Sequence, residues 1–252
     1  LGVKATETKD RIALVYAQGT ILYGEGSPTV MGQTTMNRAL IAAREDKTVK
    51  AVVLRINSPG GSALTSDLIW REVKKTAAEK PVVVSISDIA ASGGYYIATP
   101  ATYIIADRMA ITGSIGVFGT LPNASALAKE WGINSYSVGT HERSVTYSLL
   151  QPLSESFRAE LQDGVERTYD LFIERVAEGR CMTADQVDAI AQGRVWGAQD
   201  ALEIGLIDEI GGIETAFEKA AALADIQAYK VRKYPRFKSD FERLFSDLPN
   251  AM

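Results

Sequence analysis

The chain has 252 residues, 46% of them hydrophobic and 23% charged, enough to close a sizeable core in one large domain with at most a short appendage. Its formal net charge is −4, with both signs spread along the sequence, so no basic face announces nucleic acid. A single cysteine, Cys181, excludes an internal disulfide and any multi-cysteine metal site.

The opening LGVKATETKD lacks an apolar signal core, and no run reaches the roughly 18 apolar residues that span a bilayer. Starting on Leu1 instead of Met fits a segment of something longer, so a membrane anchor is expected outside these residues. Residues 12–17 read as a strand and 33–44 as a helix; 51–56 form a second, buried strand. After the turn Asn57-Ser58-Pro59-Gly60-Gly61, residues 64–78 are helical and 81–86 (PVVVSI) make another buried strand. Strand, helix, strand repeated in this way predicts an α/β domain with a mostly parallel sheet.

In the second half, residues 103–106 read as a strand, 125–131 as a helix and 135–138 as a strand; the polar stretch 139–152 is a loop. Residues 156–179 place Phe157, Leu161, Val165, Tyr169, Phe172 and Val176 at spacings of three and four, the signature of a long amphipathic helix. Thr183 and Gln186 match a capping box, with Gly193 placed to stop the helix they begin. Residues 213–224 are the last clear helix of a domain expected to span 1–225. The extension 226–252 carries Phe237, Phe241, Leu244, Phe245 and Leu248 at helical spacing, a stripe that fits packing on the chain itself, on a sister subunit, or on a membrane surface.

Three glycine-rich turns follow predicted strands: 57–62, 92–94 and 112–116. In an open α/β fold ligands bind where strands end, so the three turns are expected to converge. The sharpest is Ala91-Ser92-Gly93-Gly94, whose small residues allow a tight turn that leaves the serine hydroxyl unobstructed at a helix start. That location suits a nucleophile, because the local field favours negative charge, and equally suits a plain N-cap serine. The bare amides of Gly61 and Gly93 are candidates for the two donors of an oxyanion hole, and ordinary turn geometry is the alternative for each.

These strings resemble the signal peptide peptidase A family, also called protease IV, within the wider Clp protease and crotonase group. The resemblance runs from about residue 12 to 224. It rests on Arg55-Ile56-Asn57-Ser58-Pro59-Gly60-Gly61-Ser62, Ala91-Ser92-Gly93-Gly94-Tyr95-Tyr96, Thr112-Gly113-Ser114-Ile115-Gly116-Val117, Gly193-Arg194-Val195-Trp196 and Gly205-Leu206-Ile207-Asp208. It implies a Clp/crotonase-like α/β superhelix, no cofactor or metal, and a serine/lysine dyad in a cell-envelope peptidase that cuts hydrophobic peptides such as cleaved signal peptides. The family's nucleophile falls on Ser92, its oxyanion donors on Gly61 and Gly93, and the serine that orients its lysine on Ser114, for which a turn serine satisfying its own backbone is the alternative. A homo-oligomeric ring, inner-membrane association and a catalytic domain outside the cytoplasm are also implied.

The base is missing. Single-domain members carry the lysine about fifty residues past the serine, where this chain reads Gly139-Thr140-His141-Glu142-Arg143-Ser144, and there is no lysine between Lys129 and Lys219. Arg143 cannot substitute, since a guanidinium keeps its proton at any workable pH. The chain therefore resembles the serine-bearing second half of the family's long two-half form, with the lysine expected from an N-terminal half or a neighbouring subunit. His141, the single histidine, is either a solvated loop residue or a substitute base, and Asp88 and Asp107 read as turn and cap carboxylates. A crotonase-like acyl-CoA enzyme and a noncatalytic scaffold half are the competing readings.

Overall fold

A computed structural model of the protein describes residues 8–141, 144 and 147–235. In chain order the elements are β1 (Arg11–Gln18), β2 (Thr20–Leu22), β3 (Gly26–Ser27), β4 (Val30–Gly32), α1 (Gln33–Glu45), β5 (Val49–Ser58), α2 (Ala63–Glu79), β6 (Val82–Ala91), α3 (Gly93–Tyr96), β7 (Tyr103–Ala106) and β8 (Ile111–Gly113). They continue with α4 (Ser125–Glu130), α5 (Glu155–Arg180), α6 (Ala184–Ile190), β9 (Val195–Gly197), α7 (Ala198–Glu203), β10 (Glu209–Ile210), α8 (Ile213–Leu223) and β11 (Lys230–Tyr234). Two compact units result, Leu1–Gly116 with Phe172–Met252, and Val117–Leu171.

The larger unit is a mixed α/β domain around a mostly parallel sheet, as the alternating strand and helix patterns require. Its order is β10-β7-β6-β5-β1-β11, with β8 pairing β6 and β9 in turn pairing β8 antiparallel. Apolar runs with no alternation mark strands covered on both faces. Ile12, Leu14, Val53, Val83 and Ile105 pack beneath Ala216 and Ala220 of α8. The alternate residues Ala13, Val15, Val52, Leu54 and Val84 are just as buried, so the opposite face is covered too.

The sequence reading and the structure part in several places. Residues 135–138 form no strand; Tyr136 and Val138 are almost fully exposed, so their apolar character does not reflect a buried sheet position. Strand β6 runs five residues beyond the predicted end: Ser87 and Asp88 break its apolar pattern and the register with β5 shifts there, but pairing resumes with Ser58 opposite Ala90 and with β8 from Ile89 to Ala91. The sheet takes in Lys230–Tyr234 alongside β1, beyond the boundary expected at 225. The apolar repeat of the tail, from Phe237 onward, lies outside the described residues.

Candidate active site

Parallel pairing carries the three glycine turns to one edge of the sheet. Ser58 lies opposite Ala90 as β5 and β6 end, and Ala91 lies opposite Gly113 as β6 and β8 end. Beyond that register the Ser92 N–H donates to the Gly113 carbonyl at 2.9 Å, so the second and third turns are joined by a backbone bond at the residue of interest.

Ser92 sits at φ 51°, ψ −122°, a conformation that few non-glycine residues adopt. Because an N-cap needs extended backbone, this geometry removes the bland alternative: Ser92 is positioned as the cap of α3, yet its side chain makes no capping bond. Its carbonyl instead receives the Tyr95 and Tyr96 N–H groups, both at 2.9 Å. The residue is half-buried. As α3 has only four residues, aligned helix dipoles add little there, and the individual amides carry the local field.

Glycines make the approach of the two turns possible. A Cβ on Gly60, at φ +99°, would stand 2.7 Å from the Gly93 nitrogen, 2.8 Å from the Ala91 carbonyl oxygen and 2.9 Å from Ser92 Cβ. One on Gly94 would stand 2.6 Å from the Ser58 carbonyl oxygen. Backbone therefore lies on backbone, with Gly60 pressed against the Ser92 turn. Gly61 is bridged to Ile21 of β2: the Ile21 N–H donates to the Gly60 carbonyl at 2.8 Å and the Ser62 N–H to the Ile21 carbonyl at 2.9 Å. In such a parallel bridge the bracketed residue turns its own N–H away from the partner strand. That leaves the exposed Gly61 amide free of the bridge, beside a turn that touches the Gly93 amide. Donors on abutting turns are what binding an oxyanion requires.

Ser114 also has a positive φ, 49°, and its N–H donates to the Arg194 carbonyl at 2.7 Å. It directly follows Gly113, whose carbonyl holds Ser92, so the two serines stand on joined turns. Asp88 Oδ2 accepts from Asn57 Nδ2 at 2.7 Å, a bond between two turns, and Asp107 Oδ1 accepts from the Met109 N–H at 3.4 Å as a turn carboxylate. His141 belongs to the smaller unit, is exposed, and has Nδ1 3.1 Å from Thr140 Oγ1. Glu142 and Arg143 lie outside the described residues.

Four lysines of the larger unit lie at the other edge of the sheet. Lys80 Nζ donates to the Ala43 and Asp46 carbonyls, Lys50 pairs with Asp10, Lys219 covers the Tyr103 ring, and Lys230 opens β11. All mark the edge where the parallel strands begin. Ser92 follows the end of the ten-residue strand β6, roughly 30 Å away at the usual rise per residue. Among the described residues, Lys74 and Lys75 pair instead with Glu178 and Glu72.

Residues 74–227 match Peptidase family S49, a span that holds Ser92, Gly93 and Ser114 and leaves Gly61 just outside. Protease 4 of Haemophilus influenzae is 43% identical over 86% of this chain and 35% of its own length. Protease 4 of Salmonella typhi is 41% identical over 90% of the chain and 37% of its length. The chloroplastic serine protease SPPA of Arabidopsis thaliana is 38% identical over 89% of the chain and 34% of its length. Fold and relatives together define the class, a mixed α/β domain of the peptidase kind. The chain belongs to peptidase family S49. It spans about a third of the length of these relatives.

Sequence reasoning missed Gly60, Tyr96 and Asp67. Gly60 was legible only as half of a glycine pair, while the Tyr96 hydroxyl meets Asp67 Oδ1 at 2.7 Å across 29 residues of chain, a pairing that no local pattern announces.

Proposed function

We propose that this chain is the serine-bearing part of a serine/lysine peptidase that hydrolyses hydrophobic peptides such as cleaved signal peptides. The general-base lysine comes from a companion N-terminal half or a neighbouring subunit. In this reading a neutral amine, its pKa lowered by desolvation, takes the Ser92 Oγ proton as the oxygen attacks a peptide carbonyl. The Gly61 and Gly93 N–H groups receive the oxyanion and Ser114 orients the amine; the protonated amine then gives its proton to the leaving peptide nitrogen as the C–N bond breaks, and water, deprotonated by the same amine, hydrolyses the acyl-enzyme to release the acid and free Ser92. The observation that carries it is Ser92 itself: a strained serine, free of capping duty, abutting a second glycine turn. The absence of a lysine from the 139–144 loop, together with lysines gathered at the far sheet edge, supports an outside base.

The match to only a third of each Protease 4 supports the two-half arrangement. Residence in a bacterial cell envelope, with the catalytic domain outside the cytoplasm, belongs to the same reading, as do a ring of subunits and a membrane anchor beyond this segment. Among the described residues no helix is long and apolar enough to cross a membrane.

Fluorophosphonate labelling of the complete assembly tests the proposal. Modification at Ser92 and loss of peptide hydrolysis in Ser92→Ala are expected; turnover by that variant refutes the nucleophile. A crotonase-like enzyme would leave Ser92 unlabelled and respond to substitution of carboxylates instead.

A further inference from the structure

The two proposed oxyanion donors stand on different elements. Gly61 immediately precedes Ser62, the N-cap of α2, whose Oγ accepts from the Thr65 N–H at 3.3 Å. Gly93 opens α3. Nothing covalent short of thirty residues of chain fixes the separation of these amides; the glycine turns abut backbone to backbone, and non-bonded contacts between α2 and α3 set how the two elements sit behind them.

Those contacts converge on Tyr96. Its N–H is bonded to the Ser92 carbonyl, which makes the ring an extension of the serine turn. Its hydroxyl donates to Asp67 Oδ1 of α2 at 2.7 Å. One turn further along the same helix, Trp70 Nε1 donates to Thr99 Oγ1 at 3.0 Å, and that hydroxyl donates to the Tyr96 carbonyl at 2.9 Å. Helix α2 thus grips Tyr96 at both ends. The ring is 5% exposed, with Phe172 at 4.9 Å between centroids, and Arg175 lies 3.6 Å from Asp67 Oδ1 and 3.9 Å above the Trp70 ring. Burial foremost, then the bond to Asp67, pushes the Tyr96 hydroxyl pKa up, so it stays a donor across the working pH range.

Resting on the peptidase reading above, we propose that the Tyr96–Asp67 bond is a strut that sets the spacing of the Gly61 and Gly93 amides, making Tyr96 and Asp67 positioning residues for the oxyanion. An oxyanion hole depends on donor placement to a fraction of an ångström, and a misplacement near 1 Å can lower a rate by about 100-fold. Substrate in its ground state feels the same displacement far less, because its carbonyl has not yet moved into the hole.

The test uses the complete assembly, with kcat and KM for a peptide ester, Ki for a peptide boronate whose tetrahedral adduct places oxygen in the hole, and a thermal melt. In Tyr96→Phe, kcat is expected to fall roughly 10-fold with KM within about two-fold, and the boronate Ki to rise in proportion. Asp67→Asn keeps an acceptor oxygen and should stay near the wild-type rate. Asp67→Ala should match Tyr96→Phe, and the double variant should be no worse than either alone. Unchanged kcat and Ki in Tyr96→Phe, or losses that simply add in the double variant, would overturn the strut. A lowered melting temperature with kcat intact assigns the bond to stability alone, which also overturns it. Should Tyr96→Phe not fold, the Asp67→Asn and Asp67→Ala pair decides by the same kcat and Ki readouts. Failure of the wild-type assembly to label at Ser92 defeats the peptidase reading and is distinct from all of these.

Discussion

Gly60 does none of the proposed chemistry, yet it decides how near the chemistry's two halves come. Any side chain there faces a backbone nitrogen and a backbone oxygen within 2.8 Å, neither of which can swing aside, at a φ of +99° that L residues avoid. Backbone strain and overpacking each cost about 1–3 kcal/mol. Gly60→Ala should therefore lower the melting temperature measurably and cut kcat by more than about 10-fold, read by calorimetry and ester hydrolysis. A variant with wild-type stability would mean the turns can part without loss. The sequence displayed Gly61 and Gly93 as bare amides, and displayed Ser92 as equally a cap or a nucleophile; the ambiguity lay in φ and ψ, which no residue name encodes. Only the folded turn, whose side chain makes no capping bond, argues against the cap.

Longer elements were legible because their periodicity is long. The helix read at 33–44 is α1, that at 64–78 is α2 and that at 156–179 is α5, each with bounds within one residue of those read. The capping box at Thr183 and Gln186 is present with both bonds, at 3.2 Å and 2.9 Å. Strands of two or three residues, such as β2, β3, β4, β9 and β10, hold too few positions for a period to register. One connection shows how elements are tied at the sheet's other edge. Asp46 ends α1 and accepts from the Thr48 N–H at 2.9 Å, from Thr48 Oγ1 at 2.6 Å and from Arg232 of β11 at 2.7 Å, with Arg11 of β1 at 3.8 Å. The Thr48 bonds foremost, then the two guanidinium groups, hold its carboxyl below the usual carboxylate range. A depressed folded pKa contributes stability that is whole above the unfolded value of about 3.9 and disappears as pH falls through the folded value. Asp46→Asn should cost about 1 kcal/mol at pH 7. In urea titrations the gap from wild type should close below about pH 4; a gap that persists at pH 2 would show that lost charge is not the cause.

At the scale of the whole molecule, chemistry is divided between opposite ends of one sheet. Parallel strands send the serine and glycine turns to the edge where they end, and leave Lys50, Lys80, Lys219 and Lys230 where they begin. No rotamer of a lysine side chain, about 6 Å long, spans a ten-residue strand. The smaller unit carries Lys129 on α4 but has His141, and no lysine, in the 139–144 loop where single-domain relatives are expected to hold their base; it exposes Phe118, Trp131, Tyr136 and Val138, each more than 70% accessible. Exposed apolar side chains in that number fit a surface that another chain covers. The purified 1–252 chain should therefore react with a fluorophosphonate at least about 100-fold more slowly than the same chain joined by a lysine-bearing companion half, that factor being the usual contribution of a positioned general base. In the joined form the rate should climb with pH as the lysine loses its proton, and replacing that lysine with methionine should return it to the level of the isolated chain. A 1–252 chain that labels at full rate would place the base inside this sequence, and His141→Ala would then be the variant that abolishes labelling.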